Sequence, residues 1–163
     1  MKLLALDTSS ACCSAALWID GELRERHEFT ARGHARLLLP MVCELLAEAQ
    51  QQLSGLDAIA FGRGPGSFTG LRVAAGVVQG LAFGAGLGVL PVSDLRALAE
   101  QALRRGGRGD GTGYALACMD ARMAEVYAAV FEVRDGEVAA ERLAERVVAA
   151  DVLLPDLAMP VQW

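Results

Sequence analysis

The feature that most restricts how this chain can fold is one short string, Gly64-Pro65-Gly66-Ser67-Phe68-Thr69-Gly70-Leu71-Arg72. An apolar run, Leu56 to Phe61, precedes it and reads as a strand. A stretch with helical character follows, from about Phe68 to Phe83. Strand, glycine-rich turn and helix in that order form a unit of an α/β fold. They also set backbone amides at a helix start, where anions bind. The string fits none of the common chemical versions of that unit. No Gly-Lys-Ser or Gly-Lys-Thr follows, so it is not a P-loop, and Thr69 breaks the dinucleotide fingerprint. Pro65 stands where a serine-hydrolase elbow needs glycine, and nothing places His27 or His34 beside Ser67 as a base. What the string does specify is geometry: Ser67 or Thr69 can cap the first helical amides, and Gly70 lets the helix pack closely.

The rest of the chain supplies partners for that unit. Lys2–Leu6 reads as a buried strand, Ala11–Ile19 as a second, and Glu22–Phe29 as a third, with Asp20-Gly21 as the hairpin turn. His34–Leu53 has helical periodicity, and Gly88–Pro91 is a short strand. Ser93 can cap a helix over Asp94–Arg104. Gly106–Gly113 carries five glycines and reads as a hinge. Beyond it the pattern restarts: strands at Tyr114–Met119, Glu125–Val133 and Glu137–Leu143, with a turn at Asp135-Gly136.

Strand, Asp, turn, strand, Asp-Gly, strand thus occurs twice, first around Asp7 and then around Asp120. This suggests an internal duplication. Duplicated βββαβα halves are the plan of the actin/Hsp70/sugar-kinase architecture, whose halves are ribonuclease H-like. The expected fold is therefore α/β of that type, with lobes at 1–105 and 106–163 and the second half reduced or truncated.

In a kinase of that architecture the Asp turns would handle a metal-bound nucleotide, which makes Asp7, Thr8, Ser9 and Asp120 the weak nucleotide candidates. A kinase-like or nucleotide-hydrolysing enzyme using Asp7 and Asp120 is the alternative reading. Against it, Ser9 stands where glycine would admit a phosphate, and Arg122 and Met123 crowd the second turn. A turn capped by its own hydroxyls explains Asp7-Thr8-Ser9 better. Arg122 reads as a salt-bridge partner for Asp7 or Asp120, or as an anion ligand.

Composition narrows the functions. The net charge is −5, so the chain is a poor candidate for holding nucleic acid by itself. Cys12, Cys13, Cys43 and Cys118 lack CxxC spacing and read as small hydrophobes in a reducing cytosol; no metal site is expected. The opening residues do not read as a signal peptide, and the uncharged stretch Val73–Val92 reads as a buried helix and strand rather than a membrane span. The first helix carries more apolar residues than one buried face needs, and the second is rich in small residues, Gly70, Ala74, Ala75, Gly76, Gly80 and Ala82, that permit close helix approach. Leu38, Met41, Val42 and Leu45 on the first, with Leu71, Ala74, Ala75 and Val78 on the second, are the expected interface residues.

Four segments together resemble one family. They are Leu6-Asp7-Thr8-Ser9-Ser10, His34 with Leu38-Leu39-Pro40, the Gly64–Arg72 string, and Ala121-Arg122-Met123-Ala124-Glu125-Val126-Tyr127. The resemblance is to the bacterial tRNA threonylcarbamoyladenosine biosynthesis family TsaB/YeaZ, and it runs from the N-terminus to about residue 130. It implies an actin/Hsp70-like fold without transferase activity of its own, hence no catalytic residues. It implies a homodimer built by the first two helices. It also implies pairing with a catalytic TsaD-like subunit, helped by a TsaE-like ATPase, to modify adenosine 37 of tRNAs that read ANN codons. On that view tRNA is met only through the complex, no cofactor binds tightly, ATP or ADP enters only in the complex, and the location is cytoplasmic.

Overall fold

The computed structural model describes residues 1–106 and 111–151. The tail ending in Trp163, and positions 107–110 of the expected hinge, lie outside the described residues. The chain divides into two units, Met1–Ser93 and Asp94–Trp163.

The first unit is a five-stranded sheet with two helices. Its strands are β1 (Lys2–Asp7), β2 (Cys12–Ile19), β3 (Glu22–Phe29), β4 (Ala58–Gly62) and β5 (Gly88–Val92), in the order β3-β2-β1-β4-β5. β1 to β3 form an antiparallel meander, while β4 and β5 add in parallel on the other side of β1. The parallel pairings require crossovers. Helix α1 (His34–Glu48) supplies the one before β4, and α2 (Phe68–Ala85) the one before β5.

Alternation along the strands fixes which face the helices cover. Leu4 and Leu6 of β1, Leu17 and Ala15 opposite them on β2, and Ile59 of β4 are all buried. They meet Leu38, Met41, Val42 and Leu45 of α1 and Val78 and Ala82 of α2 in one core. The other side of β1 is open, with Ala5 exposed and Leu3 half-buried, so β1 is buried on one face only. α1 stops at Glu48, short of the expected Leu53, where a single 3-10 turn, Leu53–Gly55, begins.

The second unit is a three-stranded antiparallel sheet, β6 (Thr112–Arg122), β7 (Glu125–Arg134) and β8 (Glu137–Ala149), with helix α3 (Asp94–Gly106). Leu95 and Ala99 of α3 pack with Ala117, Ala129, Phe131 and Val138 of the sheet. The division therefore falls at Ser93/Asp94 and not at 105/106. The glycine-rich stretch marked a loop, but the helix before it buries its apolar side against the strands after it.

β7 is buried on both faces over Ala128–Val133. Within that run lies Glu132, almost inaccessible. Its carboxylate accepts from Arg134 Nε at 2.5 Å and pairs with Arg142 of β8. The Arg134 hydrogen bond, opposed by desolvation and reinforced by Arg142, holds this carboxyl below the ordinary carboxylate range. A depressed folded-state pKa contributes stability that is present above the unfolded value, about 4.3, and is lost as pH falls through the folded value. Urea midpoints taken from neutral pH downward should show this acid loss in the native chain. Glu132→Gln should be less stable near neutrality and should flatten the acid limb.

Candidate functional site

The Gly64–Arg72 loop lies against the turn after β1. Ser67 N–H donates to the Ser9 carbonyl at 2.6 Å, and Thr8 Oγ1 donates to the Gly70 carbonyl at 2.7 Å. Thr8 and Ser9 are both buried. The approach is so close that glycine is required twice. A Cβ on Gly70 would sit 1.8 Å from the Thr8 carbonyl oxygen, and one on Gly66 would sit 2.5 Å from that of Ser9. Gly64 is needed for another reason: its φ is +102°. Ser67 is the N-cap, its Oγ accepting from Gly70 N–H, and the Gly64–Pro65 bond is cis. Thr69 lies exposed in the first turn of the helix.

The start of α1 is tied to the same turn. His34 Nε2 lies 2.9 Å from the Ser10 carbonyl, and because a carbonyl only accepts, that nitrogen carries the proton. The starts of two helices are therefore tied to adjacent residues of one turn, α2 to Ser9 and α1 to Ser10.

The two aspartates do the same local job in separate units. Asp7 Oδ1 accepts from Ser9 N–H at 2.6 Å and Oδ2 from Ser9 Oγ at 3.2 Å. Asp120 Oδ1 accepts from Arg122 N–H at 2.7 Å. Each is a turn-closing acceptor. The turn after Asp120 places Arg122, Met123 and Ala124 in succession at positive φ without a glycine. Left-handed backbone at such residues costs roughly 1 kcal/mol each. Burial pushes the Cys13 thiol up, as it does that of Cys118. Among the described residues no group of three His, Cys, Asp or Glu side chains could hold a metal ion.

This arrangement is similar to that of YeaZ from Pseudomonas aeruginosa, with a TM-score of 0.83 and 46% identity, covering 99% of this chain and 71% of that one. The chain is 50% identical over 127 residues to the Haemophilus influenzae tRNA threonylcarbamoyladenosine biosynthesis protein TsaB, covering 78% of this chain and 52% of that protein. It is 44% identical over 132 residues to the Escherichia coli protein of the same name, covering 81% and 55%. The family model described as TsaD, tRNA N6-adenosine threonylcarbamoyltransferase, matches residues 27–155. The chain belongs to the TsaB/YeaZ family. It thus has the actin-like fold, and it spans about half the length of the curated relatives it matches.

In this TsaB/YeaZ chain the helices do not present the residues that sequence periodicity selects. Leu38, Met41, Val42 and Leu45 of α1, and Ala74 and Val78 of α2, are buried against the sheet, and Leu71 is half-buried. Of the expected interface set, only Ala75 is exposed. The physical reason is simple: the strongest apolar stripe on a surface helix is the one its own core takes. The outward face of α2 runs through Ala75, Gly76, Gln79, Gly80, Phe83 and Gly84, with no charge among them and Phe83 91% exposed. α2 is also long and apolar enough to cross a membrane by length and composition, yet only one line of it is buried, where a buried helix was expected. Gly76 and Gly80, among the small residues expected to let a helix approach, lie on this outer face; Gly84 continues their four-residue step, and the exposure of Phe83 has no such signal in the sequence.

Two glycines of α2 separate the loop's role from helix propensity. Gly70→Ala should cost about 3 kcal/mol or more in urea denaturation, since a backbone carbonyl stands in the way. Gly76→Ala, where nothing lies within 4 Å, should stabilise by about 1 kcal/mol. A neutral Gly70→Ala would contradict the required close approach.

Proposed function

We propose that this chain is a non-catalytic dimerisation and scaffold subunit of the complex that forms N6-threonylcarbamoyladenosine at position 37 of tRNAs reading ANN codons. The observation that carries this is the uncharged outer face of α2, Ala75 to Gly84, on a domain whose aspartates close turns. The names of its TsaB relatives supply the pathway. Small residues on that face let another helix approach closely, and Phe83 and Leu39 of α1 add exposed apolar area. The partners on this reading are a second copy of the chain, a TsaD-like transferase subunit and a TsaE-like ATPase, in the cytoplasm. ATP or ADP enters only with the assembled complex.

Reconstitution tests the reading. With the transferase subunit, the ATPase and substrates present, modified tRNA should form at least tenfold faster with this chain than without it; equal yields would contradict the proposal. The interface is tested separately by sedimentation. Ala75→Arg should abolish self-association while leaving the thermal midpoint nearly unchanged, because its side chain points to solvent. Leu45→Arg instead puts a charge at a fully buried position and should unfold the first unit. An Ala75→Arg chain that still associates normally would place the contact elsewhere.

A further inference from the structure

Apart from Arg63, which is engaged in an interaction of its own, the arginines of the first unit fall into two groups. Arg24 and Arg26 on β3 are ion-paired, to Glu22 and to Glu44 and Glu48 of α1. Arg32, Arg36 and Arg72 are exposed, and among the described residues none of the three has a carboxylate partner. These three lie at one end of the sheet, around the turn where α1 and α2 both begin. Arg36 is in the first turn of α1 and Arg72 follows the first turn of α2; neither helix has an acidic residue in its first turn. Cations beside positive helix ends are unfavourable for folding. The carboxylates at this end are Asp7, taken up by the Ser9 amide and hydroxyl, and Glu28 on β3. Positive charge is thus placed where stability alone would place the opposite sign.

An exposed aromatic lies within this patch. Phe68 is 68% exposed, and the Arg72 guanidinium stacks over its ring at 3.7 Å. A ring backed by a guanidinium and open to solvent is a surface on which an unpaired base can stack. Arginine in turn matches phosphate oxygens in a planar, two-pronged geometry.

We propose that this end of the first unit contacts RNA directly, with Arg32, Arg36 and Arg72 on phosphates and Phe68 against an unpaired base. The inference rests on the reading of the chain as a subunit of a tRNA-modifying complex. The net charge of −5 excludes a diffuse electrostatic hold, so the contact is local and adds to what a partner subunit binds. An acidic protein segment is the other anionic partner, but carboxylates do not use the exposed ring.

The test is an anisotropy titration of a labelled anticodon stem-loop RNA against the intact chain assembled with its transferase partner, over a series of salt concentrations. Arg36→Glu and Arg72→Glu should each weaken binding several-fold and lower the log–log salt slope by about 0.7. Phe68→Ala should weaken it about tenfold with the slope unchanged. Arg36→Glu should also raise the thermal midpoint of the chain, because it puts an acid at a helix start; a gain in stability with a loss of binding separates recognition from misfolding. Unchanged affinity and slope in all three variants would overturn the proposal, as would displacement of the RNA by polyglutamate peptide as readily as by unlabelled RNA. Modification yield keeps the two readings apart. A yield that needs the native chain but ignores these variants leaves the subunit reading standing and removes this one.

Discussion

The α-carbon of Gly70 lies so near the Thr8 carbonyl that a methyl group in its place would sit 1.8 Å from the oxygen. That approach, repeated by Gly66 against Ser9, fixes the carboxyl end of β1 against the start of α2. Thr8 Oγ1 and Ser67 N–H then satisfy the Gly70 and Ser9 carbonyls at the contact, as buried polar groups require. α2 cannot pivot at its start without breaking these bonds. Its inner line, Gly70, Ala74, Val78 and Ala82, then packs on the sheet along the whole helix, and everything opposite that line is held toward solvent. The shape of the outer surface follows from two missing side chains.

A glycine-rich loop at a helix start ordinarily invites a phosphate. Here the loop hydrogen-bonds to the chain's own turn, and the carboxylate beside it, Asp7, is engaged by the amide and hydroxyl of Ser9. Asp120 is engaged in the same way by Arg122 N–H. Residues that a nucleotide site would employ are employed in closing turns. The polar chemistry of the first unit serves its geometry, and the surface left available is an uncharged helix face beside a patch of unpaired arginine.

The element order and most element bounds were legible in the sequence, because apolar periodicity and turn residues report backbone local structure directly. β3 falls at the expected residues, and Ser67 caps α2 as its position suggested. The direction a helix faces was not legible for α1 and α2. Periodicity finds an apolar stripe but does not say whether sheet or partner covers it, so Leu38, Met41 and Leu45 were given to a partner and belong to the core. The unit boundary failed for a related reason: glycine marks where a chain can bend, whereas the allegiance of α3 depends on which sheet buries Leu95. The left-handed run Arg122, Met123, Ala124 was invisible because no glycine announces it. The tie between α2 and the first turn was legible only in part, since the sequence marks Gly70 as permissive but not what it admits.

On the proposed function, the clasped α2 presents its outer face to a partner subunit. Hydrogen–deuterium exchange of the intact chain, alone and with a TsaD-type transferase subunit, tests it most directly. Peptides covering Ala75 to Gly84 should gain protection on mixing, while those covering β6, β7 and β8 exchange as before. Protection confined to the second unit, with α2 unchanged, would contradict it.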